Sequence, residues 1–246
     1  MDRSAAVEAI FERVQPPTTF EETVERLGTA IKVGLLPPGS KLPPERDLAD
    51  QLDISRSTLR QALTTLVQSG HLVAARGRGG GTFVADTPPL TVGPLPEPER
   101  LRDVLDYRMA IETGTALLAA ERAQPEDLDR MREQVEAMRA IGENFERMVG
   151  DDFEPYRRAD IRFHIAMAEA AHSHRLVAAM TEVQGSMSEL IALIAHPEEV
   201  LAQSNAQHAR LVDLLEARDA TGAAELARKH LEGTEHILIG LLPATA

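Results

Sequence analysis

Apolar residues follow two regimes along this chain. Up to about residue 86 they form short runs of helical spacing and then two brief segments. From about residue 99 they recur every three or four residues almost to the C-terminus. The first anchored helix is predicted to open at Thr19, which has capping-box spacing to Glu22, with Phe20, Val24, Leu27 and Ile31 as its apolar stripe. Leu35-Leu36-Pro37-Pro38-Gly39 stops it. Pro43-Pro44 opens a short helix through Leu48 and Leu52, followed by Ile54. Ser55 suits the N-cap of a third helix, whose buried face would be Leu59, Ala62, Leu63 and Leu66 and whose end is Gly70. His71 to Ala75 and Gly81 to Ala85 read as two short strands around a glycine-rich turn.

Between 86 and 99 stand Pro88, Pro89, Pro94, Pro96 and Pro98. No helix or central strand survives that density, so 87–98 is predicted to be a semi-rigid linker. It separates an N-terminal domain, 1–86, from a C-terminal one, 99–246. In the latter, helices are predicted over roughly 99–120, 125–141, 152–171, 174–195, 198–218 and 221–242, with breaks at Pro125, Gly142, Gly150, Pro197 and the Asp219–Gly222 turn. The fold class is mainly α: a winged helix-turn-helix followed by an all-α antiparallel helical bundle.

Composition narrows the setting. Cysteine is absent, which fits a reducing cytoplasm and leaves no thiolate metal site. The charged N-terminus does not read as a signal peptide, and no run approaches about 18 apolar residues, so no membrane partner is expected. The net charge of −13 is unevenly spread. Residues 1–86 carry ten basic and eleven acidic side chains, which leaves −12 on the remainder. A weak field over the first domain means that a few aimed arginines must do any docking on a polyanion.

Such arginines exist. With Ser55 as cap, Arg56, Ser57, Thr58 and Arg60 occupy the first turn and a half of the third helix, the end that meets bases and phosphates in a helix-turn-helix. Arg forks onto guanine, and Ser and Thr hydroxyls take phosphates or base edges. The hairpin adds Arg76 and Arg78 beside Gly77 and Gly79. A capped helix with solubilising arginines would look alike in isolation. The preceding helix and the two-arginine hairpin favour a DNA reader.

The run Leu42-Pro43-Pro44-Glu45-Arg46-Asp47-Leu48-Ala49, the helix Ser55-Arg56-Ser57-Thr58-Leu59-Arg60-Gln61-Ala62-Leu63 and the glycine-rich wing resemble the GntR family of transcription regulators. The helical C-terminal part resembles the FadR-type branch, whose effector-binding bundle is the FCD domain. The resemblance implies Arg46, Arg56 and Arg60 as main contacts to a double-stranded DNA operator, assisted by Ser55, Ser57 and Thr58, with the wing tip near the minor groove. Asp53 stands where the family usually has Gly. Asp tolerates the left-handed conformation better than most residues.

Asp160 and His164 are spaced i, i+4 on one predicted helix and share a face. His208 and His230 flank the turn near 219–220 at similar distances, roughly 15–17 Å along antiparallel helices, and so lie level. Three imidazoles and a carboxylate suit a divalent transition metal: Zn²⁺ first, Ni²⁺ or Mn²⁺ as alternatives. In the FCD domain that pattern is the metal set and helps hold a small carboxylate effector. The resemblance also implies Arg108 as an effector contact, against the bland alternative of a surface ion pair with Glu112. His71, His172, His174 and His236 read as isolated polar residues. His172-Ser173-His174 stands where the family often has Gly-Asn.

The expected function is therefore a ligand-responsive homodimeric regulator, a repressor by preference, on a palindromic operator. The rivals are a metal-dependent hydrolase, disfavoured by the missing His-Glu-x-x-His, and an effector-independent DNA-binding protein.

Overall fold

Each predicted stripe finds a partner in the computed structural model, which describes residues 19–32, 34–77, 80–87, 89, 97–142 and 153–242. The chain divides into two compact units. One holds the described residues up to 89, with 193–197 and 233–242. The other holds 97–142, 153–192 and 198–232.

In the first unit, α1 (Thr19–Lys32) buries Phe20, Val24, Leu27 and Ile31. The Glu22 carboxylate turns forward to Arg26, at 2.7 Å, and Thr19 is already helical. Helix α2 (Glu45–Leu52) starts behind Pro44 with Glu45 and Asp47 in its first turn, where acidic groups oppose the helix dipole favourably. Asp53 closes it in the left-handed conformation, φ 56° and ψ 42°, its N–H bonded to the Ala49 and Asp50 carbonyls. Helix α3 (Arg56–Gln68) begins where Ser55 Oγ accepts the Thr58 N–H, and buries Leu59, Ala62, Leu63 and Leu66.

Strands β1 (Leu72–Ala75) and β2 (Gly81–Val84) pair antiparallel, Leu72 opposite Val84 and Ala75 opposite Gly81. Residues 39–42 add a third edge through Leu42 N–H to Thr82 O and Val84 N–H to Ser40 O. The wing turns at Gly77, whose φ of 99° is a region that side-chain-bearing residues avoid. Arg78 and Gly79 lie outside the described residues.

The second unit is built from α4 (Pro98–Arg122), α5 (Pro125–Gly142), α6 (Glu154–Ala170), α7 (His174–Ile191), α8 (Glu198–Glu216) and the first part of α9 (Ala220–Leu241). Helix α5 packs on α6 and α8, and α4 on α6, α7 and α8. Alanines at 116, 119, 120, 166, 168, 170, 223 and 227 let the helices approach, while Phe163, Met131, Met138, Met167, Met180 and Met187 fill the gaps. Pro98 is the first residue of α4, as its fixed φ permits. Most of the expected linker, and Gly150, lie outside the described residues.

A single cut at 87–98 does not describe this division. The last turns of α9 belong with α1, because two glycines meet there: a Cβ on Gly28 would stand 2.1 Å from the Gly240 carbonyl oxygen. Lys32 Nζ donates to the Ile239 carbonyl near the end of α9, where a cation offsets the helix dipole, and His236 Nδ1 meets the Glu25 carboxylate. Burial lowers the Lys32 pKa to about 8, partly countered by Glu25.

His71 sits in the same unit with 1% exposure, its Nδ1 2.9 Å from Ser69 Oγ. Burial, with the Lys32 charge adding to it, lowers its pKa from 6.5 to about 4. Between those values the unfolded chain binds a proton that the folded unit does not. Stability is therefore intact above 6.5 and lost as pH falls towards 4, by roughly 3 kcal/mol in all. Thermal melts of the full chain from pH 7 to 4 should show His71→Gln losing less stability over this window than the wild type. Equal slopes would remove His71 from the acid sensitivity.

Candidate DNA interface and metal centre

The Ser55 cap and the Asp53 turn determine what α3 presents. Ser55 Oγ lies 2.7 Å from both Ser57 Oγ and Thr58 Oγ1 as well as accepting the Thr58 N–H, so its hydroxyl is committed to the cap. Arg56 and Ser57 are exposed beside it, and Thr58 is half-buried. Arg56 has no ion pair among the described residues. Arg46, on α2, leans on its neighbour Asp47, Nε to Oδ1 3.1 Å. Arg60 crosses to α2 and holds Glu45. Arg76 is exposed at the start of the wing turn, next to Gly77. Thus Arg46, Ser55, Arg56, Ser57, Thr58, Arg60, Arg76 and Gly77 all belong to one unit, with the helix-turn-helix arginines exposed.

In the second unit, helix α6 brings Asp160 and His164, α8 brings His208 and α9 brings His230 to one place. The His208 and His230 Nε2 atoms stand 3.2 Å apart, so the level placement inferred from helix rise holds. A ligand nitrogen from each of His164, His208 and His230 lies within 4.8 Å of the others. Asp160 Oδ1 is 3.8 Å from His208 Nε2 and 4.0 Å from His164 Nε2. Asp160 is half-buried and sits at the edge of the three buried imidazoles.

The donor chemistry fits a cation. Gln207 Oε1, which can only accept, is 2.8 Å from His230 Nδ1, so Nδ1 carries the hydrogen and Nε2 offers a lone pair to the cluster. Burial, with His164 and Arg108 adding, lowers the His230 pKa to about 3. Burial likewise drives His208 far below its ordinary value, with His230, His164 and Arg108 reinforcing it, so both rings are neutral. The buried His164 Nε2 and His208 Nδ1 have no hydrogen-bond partner among the described residues. Zn–N bonds of 2.0–2.1 Å in tetrahedral array imply nitrogens roughly 3.3 Å apart, close to the His208–His230 spacing.

Arg108 and Glu112 do form the i, i+4 pair considered from sequence, Nε to Oε1 2.8 Å, but in the core: Arg108 is 4% exposed and Glu112 1%. The surface reading of that pair is therefore overturned. Glu112 Oε1 also accepts from Gln184 Nε2 at 3.1 Å. Its other oxygen faces His164 Nδ1 at 2.6 Å, off the line of a straight hydrogen bond. Burial alone would raise the Glu112 pKa, but His164 and Arg108 outweigh it and hold the carboxyl below the usual carboxylate range. Burial would lower His164, and the Glu112 charge reverses the sign and raises it. Burial pushes Asp160 up, against the opposing pull of His164 and Arg108. Arg108 keeps one buried nitrogen, Nη1, without a partner among the described residues.

Sequence reasoning had Glu112 only as a partner for Arg108 and missed Gln184 and Gln207. Gln207 adjoins His208, but nothing local marks Gln184. His71, His172 and His236 are not isolated: they meet Ser69, Asp127 and Glu25, and none joins the cluster. His172 adopts φ 49°, a conformation that glycine takes more easily than a residue with a side chain.

Comparison with known proteins agrees with this layout. A family model described as bacterial regulatory proteins of the gntR family matches residues 19–84, and the FCD domain model matches 103–233. The chain is a GntR-family transcription regulator with an FCD domain. It is 35% identical over 235 residues to an Escherichia coli K12 protein named for regulation of an L-lactate dehydrogenase operon, covering 89% of this chain and 85% of that one. It is 31% identical over 218 residues to the Escherichia coli K12 Glc operon transcriptional activator, covering 85% and 84%. In fold it is similar to E. coli McbR/YncC, with TM-score 0.51 and 22% identity over 91% of this chain and 98% of that one. These curated relatives are named regulators, not enzymes. No described helix of this GntR-family chain is long and apolar enough to cross a membrane.

Two outcomes follow from the geometry. Arg56→Ala should weaken binding to a duplex selected by the wild-type protein from a random pool by about 1–3 kcal/mol, with an unchanged melting midpoint. Anisotropy titration measures it, and unaltered affinity would take Arg56 out of the interface. Chelation should lower the melting temperature of wild-type protein purified with metal but leave His208→Ala unmoved. Elemental analysis should show the same variant depleted of metal. Equal metal content in both would count against the cluster.

Proposed function

We propose that this regulator is a homodimer that represses from a palindromic operator and releases it when a small carboxylate binds in the second unit. Asp160, His164, His208 and His230 would hold a divalent transition metal, Zn²⁺ first, with Ni²⁺ or Mn²⁺ able to use the same donors. A bound ion would supply a Lewis-acidic anchor for the acid's oxygen. The observation that carries the reading is the convergence of three buried imidazoles, two of them neutral, near a buried arginine whose Nη1 has no partner among the described residues. One carboxylate, Glu112, touches both Arg108 and His164, so the guanidinium and the cluster share a neighbourhood.

The residues divide the work by charge. Glu112 neutralises Arg108 on its Nε side and leaves Nη1 for a second anion. Gln207 and Glu112 orient the His230 and His164 rings so that their Nε2 atoms face the cluster. The acid changes DNA affinity only in so far as it prefers one of the protein's two states, and the same coupling must appear in its own binding. Two-fold pairing would match the two half-sites of the operator. The exposed positions Tyr107, Ala110, Gly114 and Leu117 on α4 form an apolar stripe suited to a second copy.

Protein purified without chelator would be assayed by elemental analysis and by gel shift on a selected duplex with a panel of organic acids. The relative named for an L-lactate dehydrogenase operon makes L-lactate the first acid to try. Binding unaffected by every acid, with metal present, would favour an effector-independent regulator. Arg108→Lys keeps the charge opposite Glu112 but loses the fork. It should weaken the acid response about ten-fold or more while leaving acid-free DNA affinity unchanged, measured by titrating the acid into the preformed complex. An unchanged response would exclude Arg108 from the acid site.

A further inference from the structure

The three helix-turn-helix arginines are equally exposed in kind but not equally held. Arg60 alone is tied to the other helix of the motif, and by one edge only. A single oxygen, Glu45 Oε2, accepts from Arg60 Nε at 3.2 Å and from Nη2 at 2.9 Å. That occupies the Nε–Nη2 side of the guanidinium. Among the described residues nothing meets Nη1 or the outer hydrogen of Nη2, and these two nitrogens at the far end are the pair that can fork onto the O6 and N7 of guanine. The pair is exposed, 68% for the Arg60 side chain and 42% for Glu45, so it contributes little to stability.

We infer that Glu45 is a specificity-determining residue for DNA, positioning Arg60 as a base reader and discouraging its use as a phosphate anchor. This rests on the reading of Arg60 as a DNA contact. Two effects act together. The carboxylate restricts a long, rotamer-rich side chain before DNA arrives, so less order is lost when the guanidinium meets a base edge. It also places a negative charge beside Arg60, which repels a phosphate that approaches the same guanidinium sideways. A guanine edge approaching end-on meets no such opposition. Arg56, with no ion pair among the described residues, has no carboxylate beside it to turn a phosphate away, so it contributes affinity whether or not it also meets a base. Arg46 leans only on Asp47 of its own helix, so no second helix fixes its direction. Discrimination is then concentrated in the one arginine that α2 holds across the turn.

The test uses the full-length protein and two duplexes: one selected by the wild type from a randomised pool, and a scrambled one of equal length. The quantity read is the ratio of the two affinities at fixed salt. Glu45→Gln should tighten binding to the scrambled duplex and lower the ratio by about three- to five-fold. Glu45→Asp keeps the charge but withdraws it by one methylene, and should lower the ratio without the general tightening. In an Arg60→Ala background, Glu45→Gln should leave the ratio unmoved, which a merely structural role for Glu45 does not predict. A ratio unchanged in both Glu45 variants, or equal changes on both duplexes, would overturn the inference. If Arg60→Ala itself preserves the ratio, the assignment of Arg60 as a DNA contact fails. If Arg60→Ala lowers it and the Glu45 variants do not, only the role of Glu45 fails.

Discussion

One buried carboxylate organises the second unit. Glu112 lies on α4 with water excluded, and an ion so placed is tolerated only if its oxygens are matched by donors and opposite charge. Arg108 and Gln184 share Oε1, and His164 faces Oε2. Removing any one would leave the carboxylate short of a partner in low dielectric. From that constraint follow the orientation of the Arg108 fork, the facing of His164 Nε2 towards the cluster, and the opposite shifts of His164 and the other two rings. His164 gains a neighbouring anion and rises, whereas His208 and His230 have mainly burial and other cations around them and fall.

The first unit works by a different economy. Its motif is small and its polar groups are exposed, so its geometry depends on local backbone devices: the serine cap of α3, the left-handed Asp53, and the glycine turn of the wing. The core beneath, built on Leu27, Leu48, Leu52, Leu59 and Leu66, fixes the angle at which α3 is shown. Against this frame the arginines differ only in what restrains them. In a domain with almost no net charge, such restraints decide where the few exposed cations are held.

Belonging to a regulator family accounts for the arrangement of two such unlike units in one chain. The relatives named for operon control share most of its length, and the fold neighbour shares its architecture at low identity. Asp53 and His172 occupy left-handed positions where glycine is easier, and each has a local reason to be tolerated: Asp53 caps α2, and His172 meets Asp127 at 3.0 Å.

Much of this was legible before any coordinates. Helical period, caps and breakers are local properties, so the helices of the bundle, the Ser55 cap and the strands of the wing could be read within a few residues of their ends. The level placement of His208 and His230 was also legible, because helix rise is constant and the turn between them is short. Tertiary structure alone decided the rest. Glu112 meets His164 across 52 residues and Gln184 across 72, and Gly28 meets Gly240 across the length of the chain. Such meetings depend on how helices cross, which periodicity does not encode. A helix face shows that it will be buried, and only packing determines against what. That is why Arg108 could be taken for a surface residue, and why the return of the last helix to the first unit left no mark on the sequence.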